Sequence, residues 1–83
     1  MSIREEIAER NEDALVADGF DEAIIGIGGR NSVVIYDTNK CIDILIEQGM
    51  DICEAVEYFD FNVEGSYVGE FTPIFITILG EQQ

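Results

Sequence analysis

Carboxylates are the side chains of this sequence whose spacing could support chemistry, and a dense group of them lies between residues 51 and 64. Glu54, Glu57 and Asp60 recur at every third residue, which brings carboxylates close together on one side of a helix. Two carboxylates can act as general acid and general base when an apolar pocket raises the pKa of one of them. Here the spacing places all three on the polar side of an amphipathic helix. We therefore expect a solvated acidic face and no catalytic residue.

A second acidic cluster surrounds Gly19 and consists of Asp18, Asp21 and Glu22. Such a cluster could ligate a divalent cation, because Ca²⁺ and Mg²⁺ prefer carboxylate oxygens. The spacing does not match that of an EF-hand loop. We expect a solvated turn with no metal or cofactor, and we keep a divalent-cation site as the alternative.

The glycines Gly26, Gly28 and Gly29 follow an apolar run, as the glycines of phosphate-binding loops do. Phosphate binding needs a helix N-terminus directly after the loop. Here a β-branched run begins at Val33 instead, so the segment predicts the turn of a β-hairpin.

The two cysteines, Cys41 and Cys53, both lie within apolar helical patterns, and the chain has no histidine that could activate a thiol. A catalytic nucleophile needs such a base or a lowered pKa. We interpret both residues as reduced, buried thiols.

The charge of the chain limits the partners that it can bind. Its 83 residues include 18 acidic and only 4 basic side chains, which give a net charge of −14. Direct binding to nucleic acid or to an anionic membrane requires a basic patch, and four scattered cations cannot form one. Hydrophobic residues make up 47% of the chain, which argues against disorder. We expect one domain, residues 1–83, with no signal peptide and no membrane span.

Periodicity predicts the elements that position these residues. Capping boxes formed by Ser2 with Glu5 and by Asp51 with Glu54 mark two helix starts, and Gly49 marks a helix end. A hairpin of two apolar strands is flanked by helices, and a third strand follows near the end, in the order α-β-β-α-α-β. This predicts a small α+β domain with a three-stranded mixed or antiparallel sheet, in which the last strand lies beside either hairpin strand. The predicted ranges are helix Ser2 to about Asn11, strands Ala23–Ile27 and Val33–Tyr36, helix Asp37–Gly49, a helix from Asp51, and strand Ile74–Leu79.

The helix that begins at Asp51 has an apolar stripe at i, i+3, i+4, i+7 and i+11. The stripe consists of Ile52, Ala55, Val56, Phe59 and Val63. Tyr58 and Phe61 fall outside it, so either the helix is buried on more than one side or it exposes an aromatic patch. How far the helix continues through Gly65–Gly69 stays open.

Several segments together resemble a family of small acidic uncharacterised proteins that is common in bacteriophage genomes. The segments are DGFDEAIIGIG, YD followed by KCIDIL, GM, EAVEYFDFNVEGSYVGE and TPIF. They occur in order between about residues 14 and 76. The resemblance implies a phage-type context, and it implies no activity and no site residues. A location in the cytoplasm, or in the host cytoplasm if a phage encodes the protein, follows as an expectation.

These observations favour a non-enzymatic protein that binds another protein through its acidic surface. Carboxylates three or four residues apart on a helix lie about 5–6 Å from each other, which is comparable to the phosphate spacing of a nucleic-acid strand within a factor of two. The surface could therefore mimic a nucleic acid and inhibit a basic host protein that handles nucleic acids. The alternatives are a solubilising or salt-adapted surface and a self-associating, homodimeric protein. The predicted partner-binding residues are Glu54, Glu57, Asp60, Glu64, Tyr58, Phe61, Glu5, Glu9 and Glu12.

Overall fold

The structure, a computed structural model, describes residues 2–64 and 69–80. These residues form an α+β fold in the predicted order α-β-β-α-α-β. A single 3₁₀ turn, Asp21–Ala23, precedes the hairpin, and a π-helical segment, Phe59–Glu64, continues the last helix. The question of helix beyond Glu64 falls on residues 65–68, outside the described residues. The elements are α1 Ile3–Arg10, β1 Ile24–Gly28, β2 Val33–Asp37, α2 Thr38–Glu47, α3 Ile52–Tyr58 and β3 Ile74–Ile76.

The helices begin where the sequence places capping signals. The Ser2 hydroxyl accepts a hydrogen bond from the Glu5 N–H at 3.2 Å, and the Glu5 carboxylate accepts one from the Ser2 N–H at 3.0 Å. Asp51 and Glu54 form the same reciprocal capping box at the start of α3. Each box satisfies backbone N–H groups that a helix start leaves without partners. The predicted capping boxes are thus confirmed.

The end of α2 shows why a glycine stands at position 49. The Gly49 N–H donates to the Ile46 carbonyl at 3.0 Å, and the Met50 N–H donates to the Leu45 carbonyl at 3.3 Å. This pair of bonds reverses the chain and requires a left-handed residue after the helix. Gly49 adopts a φ of 111°, which a residue without a Cβ reaches at little cost.

The sheet is mixed, with the strand order β1-β2-β3. β1 and β2 form the predicted antiparallel hairpin, with an irregularity at Ile25, and β3 runs parallel to β2. The connection from β2 to β3 therefore passes through α2 and α3, as parallel neighbours require a long crossover. The predicted strand Ile74–Leu79 is too long, because pairing with β2 ends at Ile76 opposite Asp37, where the chain of β2 turns into α2.

The core lies on one face of the sheet. Val34 and Tyr36 of β2 pack there with buried side chains from all three helices, among them Ile7, Leu45 and Ala55. The Tyr36 ring stacks on Phe75 at a centroid distance of 5.0 Å, and Phe59 contacts Phe75 edge-on at 5.3 Å. The Tyr36 hydroxyl accepts a hydrogen bond from the Ala17 N–H at 2.7 Å. The buried phenol oxygen thus has a partner, as a polar group in a core needs.

The predicted apolar stripe of α3 is only partly buried. Ala55 and Phe59 lie in the core and Val63 packs against it, whereas Ile52 is 64% exposed and Val56 is exposed as well. The spacing identified which residues share a side of the helix. It could not show that neighbouring elements cover only the middle of that side.

The two cysteines differ, and the prediction that both are buried is wrong for Cys53. Cys41 on α2 is buried among core residues, while Cys53 in the first turn of α3 is exposed beside Ile52. Both thiols are free. Burial, with a smaller contribution from the negative charge of Asp37, raises the pKa of Cys41 to about 12.

The two thiols should therefore react at very different rates. We expect N-ethylmaleimide, which is uncharged and so is not repelled by the neighbouring acids, to modify Cys53 in the native protein and Cys41 only after unfolding. Mass spectrometry of the intact protein would show one adduct under native conditions and two in urea. Cys53→Ser is the control and should take up no reagent when folded. Equal rates at the two positions would contradict the burial of Cys41.

Stability should fall in alkaline solution because of Cys41. Its pKa in the folded state, about 12, is raised above the ordinary value of 9.0. The fold therefore favours the neutral thiol, and this contribution to stability is complete below pH 9. It is lost as the pH rises towards 12, because the thiol of the unfolded chain ionises first. The loss from one such group is at most about 1.4 kcal/mol per pH unit. Burial also raises the pKa of Tyr36, which adds a second loss in the same direction above its ordinary value of 10.0.

Urea unfolding between about pH 8 and pH 11 measures this dependence as the slope of the unfolding free energy against pH. Cys41→Ala should have a shallower slope, whatever its absolute stability. Cys53→Ser, which alters an exposed thiol, should keep the slope of the unmodified protein. An unchanged slope in Cys41→Ala would show that Cys41 does not carry the effect.

Candidate binding surface

The structure places the predicted acidic and aromatic residues of α3 and the π-helical segment at the surface. Glu54, Glu57 and Asp60 are all exposed, at spacings of three residues. Glu54 also belongs to the capping box, where its carboxylate accepts a hydrogen bond from the Asp51 N–H at 3.4 Å. We call the exposed set Glu54, Glu57, Tyr58, Asp60 and Phe61 the acidic–aromatic face.

Two aromatic side chains lie among these acids. Phe61 is 80% exposed and Tyr58 is 42% exposed, whereas Phe59, between them in sequence, is 1% exposed. Residues two positions apart in a helix point to nearly opposite sides, so the burial of Phe59 directs Phe61 outwards. Of the two alternatives for this segment, burial on more than one side is wrong and the exposed aromatic patch is correct.

The charges of the acidic–aromatic face are not neutralised by nearby cations. Within residues 2–64 and 69–80, the ion pairs join Arg4 to Asp18 and Asp21, and none involves α3. Exposed carboxylates three or four residues apart repel each other. A cationic partner that approaches this face would relieve the repulsion.

The other predicted acids lie elsewhere, Glu5 and Glu9 on α1 and Glu12 in the turn that follows it. Glu5, Glu9 and Glu12 are exposed, but α1 lies beside β1, with Ile3 and Ile7 lining one cavity together with Ile24–Ile27. Phe59 at the start of the π-helical segment instead contacts β3 through Phe75. Since β1 and β3 are the two outer strands of the sheet, the structure does not bring Glu5 and Glu9 onto the acidic–aromatic face. The side chain of Glu64 lies outside what the structure describes.

Arg4 binds two of the acids, Asp18 and Asp21, that the sequence suggested as an alternative divalent-cation site. Nε and Nη2 of Arg4 donate to the two carboxylate oxygens of Asp21 at 2.8 and 3.0 Å, and Nη2 also donates to Asp18 at 3.2 Å. Hydrogen bonding from Arg4 holds the pKa of Asp21 below its usual value. No group of three or more His, Cys, Asp or Glu residues is arranged to hold a metal ion in the described part of the chain. Arg4 is 17 positions from Asp21, and no local pattern in the sequence pointed to it.

The glycine-rich segment forms the predicted hairpin turn. It connects β1 to β2, so a strand and not a helix follows Gly28 and Gly29. The Asn11 amide donates to the Asn31 carbonyl at 2.9 Å, and the Asn31 amide donates to the Glu70 carbonyl at 3.0 Å. These hydrogen bonds attach the turn to other segments of the chain.

A groove of about 550 Å³ borders the acidic–aromatic face at Tyr58. Its walls are mostly apolar and include Leu15, Val16, Val63 and Phe75, with Asp18 at the edge. The volume lies within the range of small-ligand sites. No local pattern in the sequence indicates this groove, because its walls come from three separate segments, residues 15–20, 58–63 and 73–75, that only the tertiary fold brings together.

The helices and the comparisons with known proteins also bear on function. None of the helices in residues 2–64 and 69–80 has the length and apolar character needed to cross a membrane. Compared with known protein families, with curated proteins and with solved structures, the chain has no match. The resemblance to small acidic phage proteins therefore stays a prediction.

Proposed function

We propose that this protein is a non-enzymatic binding protein whose acidic–aromatic face docks on a basic surface of another protein. The observation that carries the proposal is Phe61, which is 80% exposed next to exposed acids that no described cation neutralises. Exposed apolar surface rimmed by polar residues is typical of interaction sites, and aromatic residues are enriched in them.

The aromatic and acidic residues have separate roles in this proposal. Phe61 and Tyr58 are the anchors, because aromatic side chains that become fully desolvated dominate the energy of an interface. Glu57 and Asp60 attract the partner and orient it, since complementary charge raises the association rate more than the affinity. Glu54 contributes less, because its carboxylate also closes the capping box of α3.

The proposed target is a basic host protein that handles nucleic acids. Carboxylates on a helix are spaced at about 5–6 Å, within a factor of two of the phosphates along a strand. A chain with a net charge of −14 would be drawn to a groove that evolved to bind a polyanion. The protein would act there as a nucleic-acid mimic and inhibitor, in line with the phage-type context that the sequence resembles.

Substitutions in the acidic–aromatic face should abolish capture of such a target. In a pull-down from bacterial lysate at low salt, we expect a basic nucleic-acid-binding protein to be retained and to be lost at about 0.5 M NaCl, where charges are screened beyond a few ångströms. Phe61→Ala should weaken binding about tenfold or more, and Glu57→Lys/Asp60→Lys should abolish it. If no basic protein is retained at low salt, this result would count heavily against the proposal.

Two control variants match these changes. Glu22→Lys/Asp43→Lys alters net charge by the same amount at exposed positions outside the face, and Ile25→Ala truncates an exposed apolar side chain on β1. Both should capture the target as the unmodified protein does. Equal loss in the two charge variants would show that net charge alone, and not this face, governs binding.

Competition with DNA separates mimicry from other modes of binding. If the face occupies the nucleic-acid groove of the target, duplex DNA should displace this chain from the target. The target should not bind DNA and this chain at the same time. Fluorescence anisotropy of labelled DNA with the purified target would show displacement by the unmodified protein, and displacement by Phe61→Ala only at a concentration about tenfold higher or more. A stable ternary complex with DNA would rule out mimicry and leave only a binding role.

A further inference from the structure

The helix α1 is attached to the rest of the fold by few side chains. Seven of its eight residues are exposed, and Ile7 is the one that is buried. A helix this short is unstable by itself in water. Glu5 and Glu9 lie one turn apart and are both exposed, so their charges repel each other. The stability of α1 therefore depends on its contacts with neighbouring segments.

The space between α1 and β1 is incompletely filled. A cavity of about 340 Å³ lies there, lined by Ile3 and Ile7 of α1 and by Ile24–Ile27 of β1. Protein interiors are normally as closely packed as organic crystals, and a gap loses the contacts that its lining would otherwise make. Ile3 and Ile25 also stay 41% and 47% exposed. Ile7 therefore supplies most of the apolar contact that holds α1.

Arg4 provides a second attachment, near the start of α1. Its guanidinium donates to both carboxylate oxygens of Asp21 and to Asp18. A two-pronged contact of this kind fixes geometry as well as adding energy. The side chains of Arg4 and Asp21 are 44% and 41% exposed, and an exposed ion pair contributes little to stability. The pair therefore orients α1 without holding it strongly.

Asn11 provides the third attachment, just after the end of α1. Its side-chain amide donates to the carbonyls of Asn31 and Ser32 in the hairpin turn, at 2.9 and 3.2 Å. Its side-chain oxygen accepts a hydrogen bond from the Asp13 N–H at 3.0 Å. The backbone at Asn11 is extended, with φ −160° and ψ 99°, so the helical conformation stops there. Asn11 is thus a fixed point about which α1 can turn.

We infer that α1 is a lid over part of β1 and that it opens as one unit about Asn11, with Arg4 as its latch. Segments with few buried apolar contacts open while the rest of a protein stays folded. Opening breaks the bonds of Arg4 to Asp21, withdraws Ile7 from the core and uncovers apolar side chains of β1. Because eight residues do not sustain a helix alone, the detached segment also loses its helical hydrogen bonds.

Native-state hydrogen exchange followed by NMR tests this inference. The amides of α1 that bond within the helix, from Glu6 to Asn11, should share one opening equilibrium once their intrinsic rates are corrected for. Their exchange should depend little on low concentrations of urea, because opening the lid exposes little surface. The amides of β2 should exchange through global unfolding and respond steeply to urea. An equal opening equilibrium and urea dependence in α1 and β2 would overturn the inference.

Arg4→Gln distinguishes a latch from fraying of the helix end. It should speed exchange at Arg10 and Asn11 as much as at Glu6, by about two- to fivefold, the change that corresponds to loss of an exposed ion pair. Arg30→Gln is the matched control, since it alters net charge equally at an exposed position of the hairpin turn, and it should leave exchange in α1 unchanged. Acceleration confined to the first turn of α1 would overturn the inference.

Ile7→Val tests the buried attachment. It removes one methylene from the core and should speed exchange along the whole of α1 by about two- to tenfold. Ile3→Val removes the same group from an exposed side chain and should have little effect. Circular dichroism checks that each variant folds. Unchanged exchange of α1 in folded Ile7→Val would also overturn the inference, because the lid would then not depend on its buried side chain.

Discussion

The contact between Tyr36, Phe75 and Phe59 is the interaction on which the rest of the fold depends. It joins β2 and β3 to the segment that follows α3, and therefore closes the long crossover between the two parallel strands. Aromatic side chains bury large areas and gain further from stacked and edge-on contacts. Because Phe59 is held inside, the residue two positions later must face outwards. The same contact that completes the core thus places Phe61 in solvent.

Net charge is the second constraint, and the fold accommodates it by separating charge from the sheet. The acids lie on helices and turns, whereas the strands carry only Asp37, which caps α2. In the described part of the chain a single arginine, Arg4, forms the ion pairs. Such exposed pairs contribute little to stability, so hydrophobic burial must offset the mutual repulsion of the acids. That burial lies between the core face of the sheet and the helices packed on it.

Local signals in the sequence predicted most of the fold. The capping boxes at Ser2 and Asp51, the glycine at position 49 and the hairpin turn each depend on a few neighbouring residues, and the structure confirms them. The errors concern tertiary contacts. Three features depend on what lies beside a residue in space: the exposure of Cys53, the end of β3 at Ile76 and the binding of Arg4 to Asp21. Helical periodicity identifies which residues share one side of a helix, but not how much of that side is covered by neighbouring elements.

In the proposed function the exposed acids serve binding and not acid–base chemistry, for a physical reason. A carboxylate becomes a useful general acid at neutral pH when an apolar environment disfavours its charged form. Glu57 and Asp60 are exposed, so water stabilises their charge and keeps it available to attract a cation at long range. Phe61 beside them offers the apolar contact that charge alone cannot supply, since exposed ion pairs give little net affinity. Attraction by the acids and anchoring by the aromatic ring therefore require each other, and this chain presents both on one short helical segment.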